Sequence, residues 1–342
     1  VGLNYSQRND GHNRSVSIRR PFYSLGDKWS LEAQAWDSLN DVRFFLSNAG
    51  QAGFNSRVGT SLYALLPMSQ QGFQIISMLR LSPAEEGRVW RLGAGLQISE
   101  RFLDVGQQSS WVLSDERETD LRFLTETGQP LAREQGTTVY PFLWLRTQGR
   151  TWTESRFVLQ FGPMEDIPLD WNLSLKAGPT GPEIGSTTGF GGSTWRAEAV
   201  ATKWFNFGPG LLMVQGSGTG QTGKMENRYH RINVQSGWLA AFGAEHSPWQ
   251  TRVVAEAGHG SRLPGDTALV LGLYRGLRTL DFDGMAGDRL VRWNFEQGKV
   301  LPWEVLDMAH VGLAAFYSGG CAWWNDEDRD LKDSRHEAGV GL

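Results

Sequence analysis

The chain lacks the features that mark a disulfide-stabilised protein or a helical membrane protein. Its 342 residues include one cysteine, Cys321, which excludes an internal disulfide framework and a cysteine-rich metal site. No stretch approaches the roughly 18 consecutive apolar residues that a membrane-spanning helix requires. The formal net charge of −4 gives no support for nucleic-acid binding, which usually needs a concentrated basic face. Residues 1–7 are typical of a strand, so we expect no signal peptide in this sequence.

The chain also lacks a complete motif for catalysis or nucleotide binding. Residues 218–224 match the phosphate-loop pattern GxxxxGK, but Met225 follows where magnesium binding requires serine or threonine. We therefore predict a glycine-rich hairpin loop at this place. The six histidines show no paired metal-binding spacing, and no serine lies in a GxSxG motif. We expect no enzymatic activity, no cofactor and no bound metal ion.

An acidic stretch near the end of the chain partly matches a calcium-binding loop. The sixth position, where the sharp turn requires glycine, is Leu331, and no flanking helices are evident. We predict a solvated acidic surface loop, with a weak divalent-ion or lipopolysaccharide-bridging contact as the alternative. The acidic residues of the pattern are Asp326, Asp328, Asp330 and Glu337.

What the sequence has in abundance is strand-type alternation of apolar and polar residues. In residues 171–177, tryptophan, leucine and alanine alternate with asparagine, serine and lysine. Successive side chains of a strand point to opposite faces, so each such segment has one apolar and one polar face. The same alternation occurs in residues 29–35, 90–98, 156–161, 195–202, 252–257, 289–295 and 311–317.

Three properties of these segments favour a membrane barrel over the alternative, a soluble β-sandwich. The segments extend over about 9–11 residues, the length of a tilted membrane-crossing strand. Their polar faces carry charge and glycine, which is typical of a hydrated lumen. Tryptophans lie near segment ends, as in an aromatic girdle at the lipid interface. These tryptophans are Trp29, Trp171, Trp195, Trp204 and Trp293.

We therefore predict an all-β fold, a transmembrane antiparallel β-barrel that forms one domain over residues 1–342. At roughly 20–24 residues per strand and connection, the chain holds about 14–16 strands. Long polar connections, such as residues 100–138 and 325–337, are expected on one side, and tight turns on the other. Closed barrels leave no strand edge. Because the chain begins and stops within strand patterns, we expect an open seam between its ends.

The last quarter of the sequence resembles the BamA/TamA superfamily of outer-membrane assembly and secretion proteins. In that superfamily a long loop with a Val/Leu-Arg-Gly-Tyr/Phe motif folds back inside the barrel, and strands with N-x-E, F-x-D-x-G and G-x-G-L motifs follow. Residues 276–278 match the loop motif, and Gly287-Asp288-Arg289 follows at the usual distance. Residues 294–296, 316–320 and 339–342 match the three strand motifs. Residues 19–36 are similar to an early barrel hairpin of these proteins.

Two departures from the family pattern affect the predicted contacts of the loop. Residues 279–280 are Thr-Leu where the family has Gly-Tyr, so Arg275-Gly276 is a rival alignment to Gly276-Leu277-Arg278. Ser318 stands where the family has an aspartate. The resemblance implies that Arg278, or Arg275 in the rival alignment, holds the infolded loop through Glu296 and Ser318. Close backbone approach is expected at Gly276, Gly287 and Gly320.

The alternation of side chains along the strands supports the grouping of Arg278, Glu296 and Ser318 independently of the resemblance. Val291, Trp293 and Phe295 share one face of their strand, which puts Glu296 on the opposite face. On the later strand the apolar alternation places Ser318 on that same polar face. We therefore expect Glu296 and Ser318 to face the lumen, where an infolded Arg278 reaches them.

The function implied by the resemblance is insertion of other barrels into a bacterial-type outer membrane, or passage of polypeptides across it. The expected partners are outer-membrane lipid and lipopolysaccharide, client polypeptides or other outer-membrane proteins, and periplasmic or lipoprotein partners; nucleic acid is not among them. The family places periplasmic POTRA domains before the barrel, and none is visible in this sequence. A passive porin-like channel and a barrel that only anchors a partner are the alternative functions.

Overall fold

The computed structural model describes most of the chain as β-strand. The described residues are 1–8, 11–45, 63–83, 87–103, 136–156, 164–187, 193–223, 228–244, 247–263, 267–272, 276–280, 284–305, 309–325 and 331–341. The strands are β1 Gly2–Arg8, β2 Gly11–Arg20, β3 Trp29–Phe45, β4 Tyr63–Arg80, β5 Arg88–Leu103, β6 Gly136–Gly149, β7 Trp152–Arg156, β8 Met164–Pro168, β9 Asn172–Thr180, β10 Thr194–Phe207, β11 Gly210–Thr222, β12 Tyr229–Ala244, β13 Ser247–Ser261, β14 Leu269–Leu271, β15 Met285–Gly287, β16 Arg289–Val305, β17 Ala309–Trp323 and β18 Arg335–Gly341. Two 3-10 turns, Pro182–Ile184 and Leu331–Asp333, are the helical elements of the described residues.

The main sheet contains fourteen strands, and all neighbours in it pair antiparallel. Their order follows the chain, β1-β2-β3-β4-β5-β6-β9-β10-β11-β12-β13-β16-β17-β18. The short hairpins β7–β8 and β14–β15 are inserted between sheet strands as separate two-stranded sheets. The predicted all-β class is therefore confirmed. Over the described ranges, no helix has the length and apolar character needed to cross a membrane.

The two edges of the main sheet are β1 and β18. Strand β1 pairs with β2, and β18 pairs with β17 from Gly341 opposite Ala314 to Arg335 opposite Gly320. Within the residues that the structure describes, β1 and β18 do not pair with each other. The expected opening between the first and last strands is therefore confirmed.

Most strands of the main sheet are longer than the alternating sequence segments. Strand β4 has 18 residues and β3 and β16 have 17, whereas the segments predicted about 9–11. The predicted length was wrong because alternation marks only the part of a strand that has an apolar face. Backbone hydrogen bonding continues beyond it, where polar residues occupy both faces, as at Asn40 and Asp41 of β3.

One face of the main sheet is apolar and exposed on strand after strand. The register places such side chains opposite one another, for example Val253 opposite Phe295 and Leu3 opposite Val16. Large exposed apolar residues on this face include Leu3, Ile18, Leu31, Ile75, Leu92, Leu143, Leu175, Phe205, Ile232, Val253, Phe295, Leu313 and Val340. We call this surface the apolar face.

The opposite face, here called the polar face, is partly covered by other segments of the chain. The β14–β15 hairpin covers one region, and Phe22 packs against Ile76, Met78, Tyr140 and Phe142 in another. A third region lies under the β7–β8 hairpin, where Ile167 packs against Trp204 and Leu211. Trp204 is therefore buried on the polar face, and its predicted place in an exposed aromatic girdle was wrong.

Two further predictions about loops are corrected by the strand assignments. Residues 218–222 belong to β11, so the glycine-rich stretch is mainly strand and not a hairpin loop. Glu337 lies in β18 and is buried, so it does not belong to a solvated acidic loop. Asp326, Asp328, Asp330 and Lys224 lie outside the described residues.

Candidate functional site: a loop segment held against the polar face

Between β13 and β16, the described residues 267–272, 276–280 and 284–288 lie against the polar face; we call them the infolded segment. Its strands β14 and β15 pair from Leu269 opposite Gly287 to Leu271 opposite Met285. Apolar burial holds it in place, since each such side chain stabilises the packing by about 1.5–3 kcal/mol. The buried cluster consists of Leu269, Leu271, Leu277, Met285, Leu290, Cys321 and Ala322.

Arg278 extends from the infolded segment toward β16 and β17. Its Nη2 atom lies 3.8 Å from Oε2 of Glu296, the contact that the sequence predicted. The Arg278 guanidinium also lies 4.3 Å from the centre of the Phe316 ring. Because 59% of the Arg278 side chain is exposed, this ion pair stabilises the segment by at most about 1 kcal/mol.

Ser318 lies on the same face as Glu296, as strand parity predicted, but it has a different partner. Its hydroxyl oxygen accepts a hydrogen bond of 2.8 Å from Nδ2 of Asn294, the residue opposite it on β16. Ser318 is 1% exposed. It therefore joins β16 to β17 and, among the described residues, makes no hydrogen bond to the infolded segment.

Glu337 makes the best-formed polar contact between the infolded segment and the sheet. Its Oε2 atom accepts a hydrogen bond of 2.8 Å from the backbone N–H of Thr279. Glu337 is 6% exposed, and its other oxygen, Oε1, has no hydrogen-bond partner among the described residues. It lies opposite Ser318 across the β17–β18 pair. Ser318 stands at the position where an aspartate was expected, and the carboxylate of Glu337 on the neighbouring strand β18 lies beside it.

Glu337 was not predicted as a residue of this site, because the acidic pattern of residues 326–337 placed it in a loop. The signal that identifies it is the alternation in residues 335–341, which places Glu337 on the same face as Gly339 and Gly341. Those glycines belong to the motif that predicted a strand. Extending the strand by two residues toward the N-terminus would have placed Glu337 on the polar face.

Gly276 lies where the infolded segment passes over a second ion pair. Arg292 is ion-paired with Glu256 across β16 and β13, and Nδ2 of Asn233 donates to Oε1 of Glu256 at 2.8 Å. A Cβ atom on Gly276 would lie 3.0 Å from Cδ of Arg292, and the Gly276 φ angle is +118°. The backbone conformation therefore requires glycine, and a Cβ atom would also displace the Arg292 side chain.

The base of the infolded segment is fixed by close backbone contacts. A Cβ atom on Gly287 would lie 2.0 Å from the carbonyl oxygen of Trp323, so only glycine fits there. Oδ1 of Asp288 accepts a hydrogen bond from the backbone N–H of Asn325 at 3.0 Å. Gly320 lies in β17 opposite Arg292. Arg275, the rival to Arg278, lies outside the described residues.

A cavity of about 250 Å³ separates the infolded segment from the sheet, with space for several water molecules. Its polar lining suits hydrogen bonding, and the described residues contain no cluster of histidine, cysteine or carboxylate that would hold a metal ion. The lining includes Gln235, Arg252, Gly276, Arg278, Asn294, Glu296 and Ser318.

No protein-family profile matches this chain, and no curated protein matches it. The resemblance described above therefore remains a prediction.

Proposed function

We propose that the chain is the membrane barrel of a BamA/TamA-like protein that assists insertion of outer-membrane proteins or translocation of polypeptides. The apolar face supports the membrane location. Monomeric soluble proteins rarely expose contiguous apolar patches above a few hundred Å², whereas this face extends across the whole sheet. A hydrocarbon environment would bury these exposed apolar side chains, and the polar face would then line the interior.

The observation that carries the functional proposal is that the infolded segment is bonded to an edge strand. Thr279 donates its backbone N–H to Glu337 on β18, and among the described residues β18 has a sheet partner on one side only. An unpaired strand edge is a template for another strand. In hydrocarbon each unsatisfied backbone group costs several kcal/mol, so such a template lowers the barrier for insertion of a client strand.

The proposed mechanism is physical and involves no chemical reaction. A client strand adds to the backbone groups of the β1 or β18 edge and forms the hydrogen bonds that lipid cannot provide. The infolded segment keeps β18 and β17 in register meanwhile, through Glu337 and the buried cluster around Cys321. The apolar face anchors the assembly in the membrane throughout.

The test is to lock the two edges together in a Cys321→Ala background. Cysteine pairs that combine Asn4 or Ser6 of β1 with Gly339 or Gly341 of β18 are oxidised after reconstitution into liposomes. Insertion of a urea-unfolded barrel client is then followed by its gel mobility without boiling. We expect oxidation to stop client insertion and reduction to restore it.

A matched control is a cysteine pair at Ser174 and Val200, which are already opposite each other in β9 and β10. This cross-link should leave client insertion unchanged. Stable ohmic conductance without any effect on client insertion would instead identify a passive channel and refute the proposal.

A further inference from the structure

Three arginines lie side by side on the polar face of β4, β5 and β6. Arg80 is opposite Arg91, and Arg91 is opposite Arg146. Neighbouring strands are about 4.8 Å apart, so the three side chains start within roughly 10 Å. Like charges placed directly opposite each other on a sheet are destabilising. We call these three residues the arginine row.

Arg91, at the centre of the row, is buried but incompletely bonded. It is 7% exposed, and its Nε atom has no hydrogen-bond partner in the described part of the chain. Its Nη1 atom donates to Oε1 of Gln148 at 3.3 Å, and its guanidinium lies 4.2 Å from the centre of the Phe22 ring. A guanidinium has five N–H donors in a planar fork, so most of the Arg91 donors remain available.

The two flanking arginines differ in how they are held. Nη1 of Arg80 donates to the backbone carbonyls of Leu25 and Gly26 in the β2–β3 connection, which fixes its position. Arg146 is exposed, with its guanidinium 5.1 Å from the centre of the Trp144 ring. Arg80 at one end of the row is therefore held in place, and Arg91 at its centre is buried. Arg146 at the other end is open to solvent, which leaves that end accessible to a ligand.

Carboxylates do not neutralise the arginine row within the described residues. Asp27 is the described carboxylate whose charge acts on Arg91, and its Oδ2 atom already accepts the backbone N–H of Tyr23 at 2.6 Å and that of Ser24 at 3.1 Å. No ion pair of Arg80, Arg91 or Arg146 occurs among the described residues. Glu85 and Glu86, in the β4–β5 connection, lie outside them.

Other cations of the polar face do have a carboxylate partner. Glu198 lies 4.0 Å from Lys176 and 3.0 Å from Arg196 on the neighbouring strands β9 and β10. Among the described residues, the arginine row has no such carboxylate partner.

We propose that the arginine row is a binding site for a polyvalent phosphate, either free or carried by a lipid. Guanidinium groups bind phosphate oxygens through two parallel N–H donors. Three cations within about 10 Å match a compact anion of two or more charges better than a single carboxylate. The ring of Phe22 limits access of water to the buried Arg91 guanidinium, which strengthens the attraction.

The probe is inorganic pyrophosphate, titrated calorimetrically into the full chain in a zwitterionic detergent at low ionic strength. We expect saturable binding that weakens at least tenfold in Arg146→Gln and in Arg91→Gln, and that weakens with added salt. Arg146 is exposed, so its substitution is compatible with folding even if that of Arg91 is not. Arg14→Gln is the matched control, since Arg14 lies 3.9 Å from Asp37 on the apolar face, and it should bind as the wild type does.

The lipid source is separated from the free anion by a second titration. Bis-phosphorylated lipid A in mixed micelles that displaces pyrophosphate identifies a lipid phosphate, whereas failure to displace it identifies a free phosphate. Equal pyrophosphate affinity in the wild type and Arg146→Gln, or no binding at millimolar concentration, would overturn the proposal. Binding that appears only after Glu85→Gln and Glu86→Gln would overturn it too, because those carboxylates would then occupy the site.

Discussion

The residues that hold the infolded segment differ in how strongly each is expected to stabilise it against the sheet. Glu337 is a buried carboxylate that accepts a backbone hydrogen bond, and such charged hydrogen bonds contribute about 1.5–3 kcal/mol. We therefore expect Glu337→Ala to raise protease cleavage within residues 267–288 by roughly tenfold or more. Limited proteolysis in detergent, followed by mass spectrometry, measures this rate.

Glu296→Gln should raise the same cleavage rate only a few-fold, because its partner Arg278 is largely exposed. Ser318→Ala should raise it less than Glu296→Gln, since Ser318 bonds Asn294 and not the infolded segment. Wild-type protection in all three variants would remove these contacts from the account of how the segment is held.

A second prediction about a single residue concerns the backbone of Gly276. Gly276→Ala forces a left-handed φ on a residue with a Cβ and brings that atom to 3.0 Å from Arg292. Strain of this kind costs on the order of 1–3 kcal/mol, so the unfolding temperature should fall. Gly216→Ala is the control, because nothing lies within 4 Å of that position and its φ is ordinary. Equal loss of stability in both variants would contradict the account of Gly276.

Among the connecting elements, the β2–β3 connection should respond to acid through Asp27. Backbone hydrogen bonds from Ser24 and Tyr23 lower the pKa of Asp27 from its ordinary value of 3.8. A lowered pKa means that the carboxylate stabilises this turn fully above about pH 3.8, and that the effect is lost as the pH falls through the lowered pKa. The amide resonances of Tyr23 and Ser24 should therefore shift in that acid range in the wild type and stay constant in Asp27→Asn.

The elements also show what the sequence was able to predict. Alternation predicted seven strands of the main sheet and both of their faces, because the side-chain period of a strand is fixed by the backbone. These strands are β3, β5, β9, β10, β13, β16 and β17. The alternating residues 157–161 lie outside the described residues. It did not predict strand length, since pairing continues where both faces are polar. It misplaced Trp204, because alternation does not show that the β7–β8 hairpin folds over that part of the sheet. Among the residues of the site, Arg278 and Glu296 were correctly predicted to be neighbours. Glu337 was missed because the predicted last strand began at residue 339, two residues after it.

For the whole molecule, the apolar face predicts which tryptophans contact lipid. Trp195 is 60% exposed on that face, whereas Trp204 is buried under a hairpin. Brominated lipids should therefore quench the fluorescence of a variant that retains Trp195 more strongly than that of one retaining Trp204. The folded protein should also migrate differently on gels before and after boiling. Equal quenching of the two tryptophans, or a water-soluble monomer, would contradict the membrane assignment.

The sequential order of the fourteen strands has a consequence for folding kinetics. Every strand after β1 pairs with the strand that precedes it in the main sheet, so assembly can advance by successive pairings. The longest connection to be closed is that between Leu103 of β5 and Gly136 of β6. The contact between Thr279 and Glu337 is an exception, because its donor precedes its acceptor by three strands of the sheet. Thr279 has no acceptor at Glu337 until β18 has docked on β17. Formation of this hydrogen bond is therefore a late step, and a chain interrupted before β18 should fold its sheet and leave the Thr279 amide unprotected.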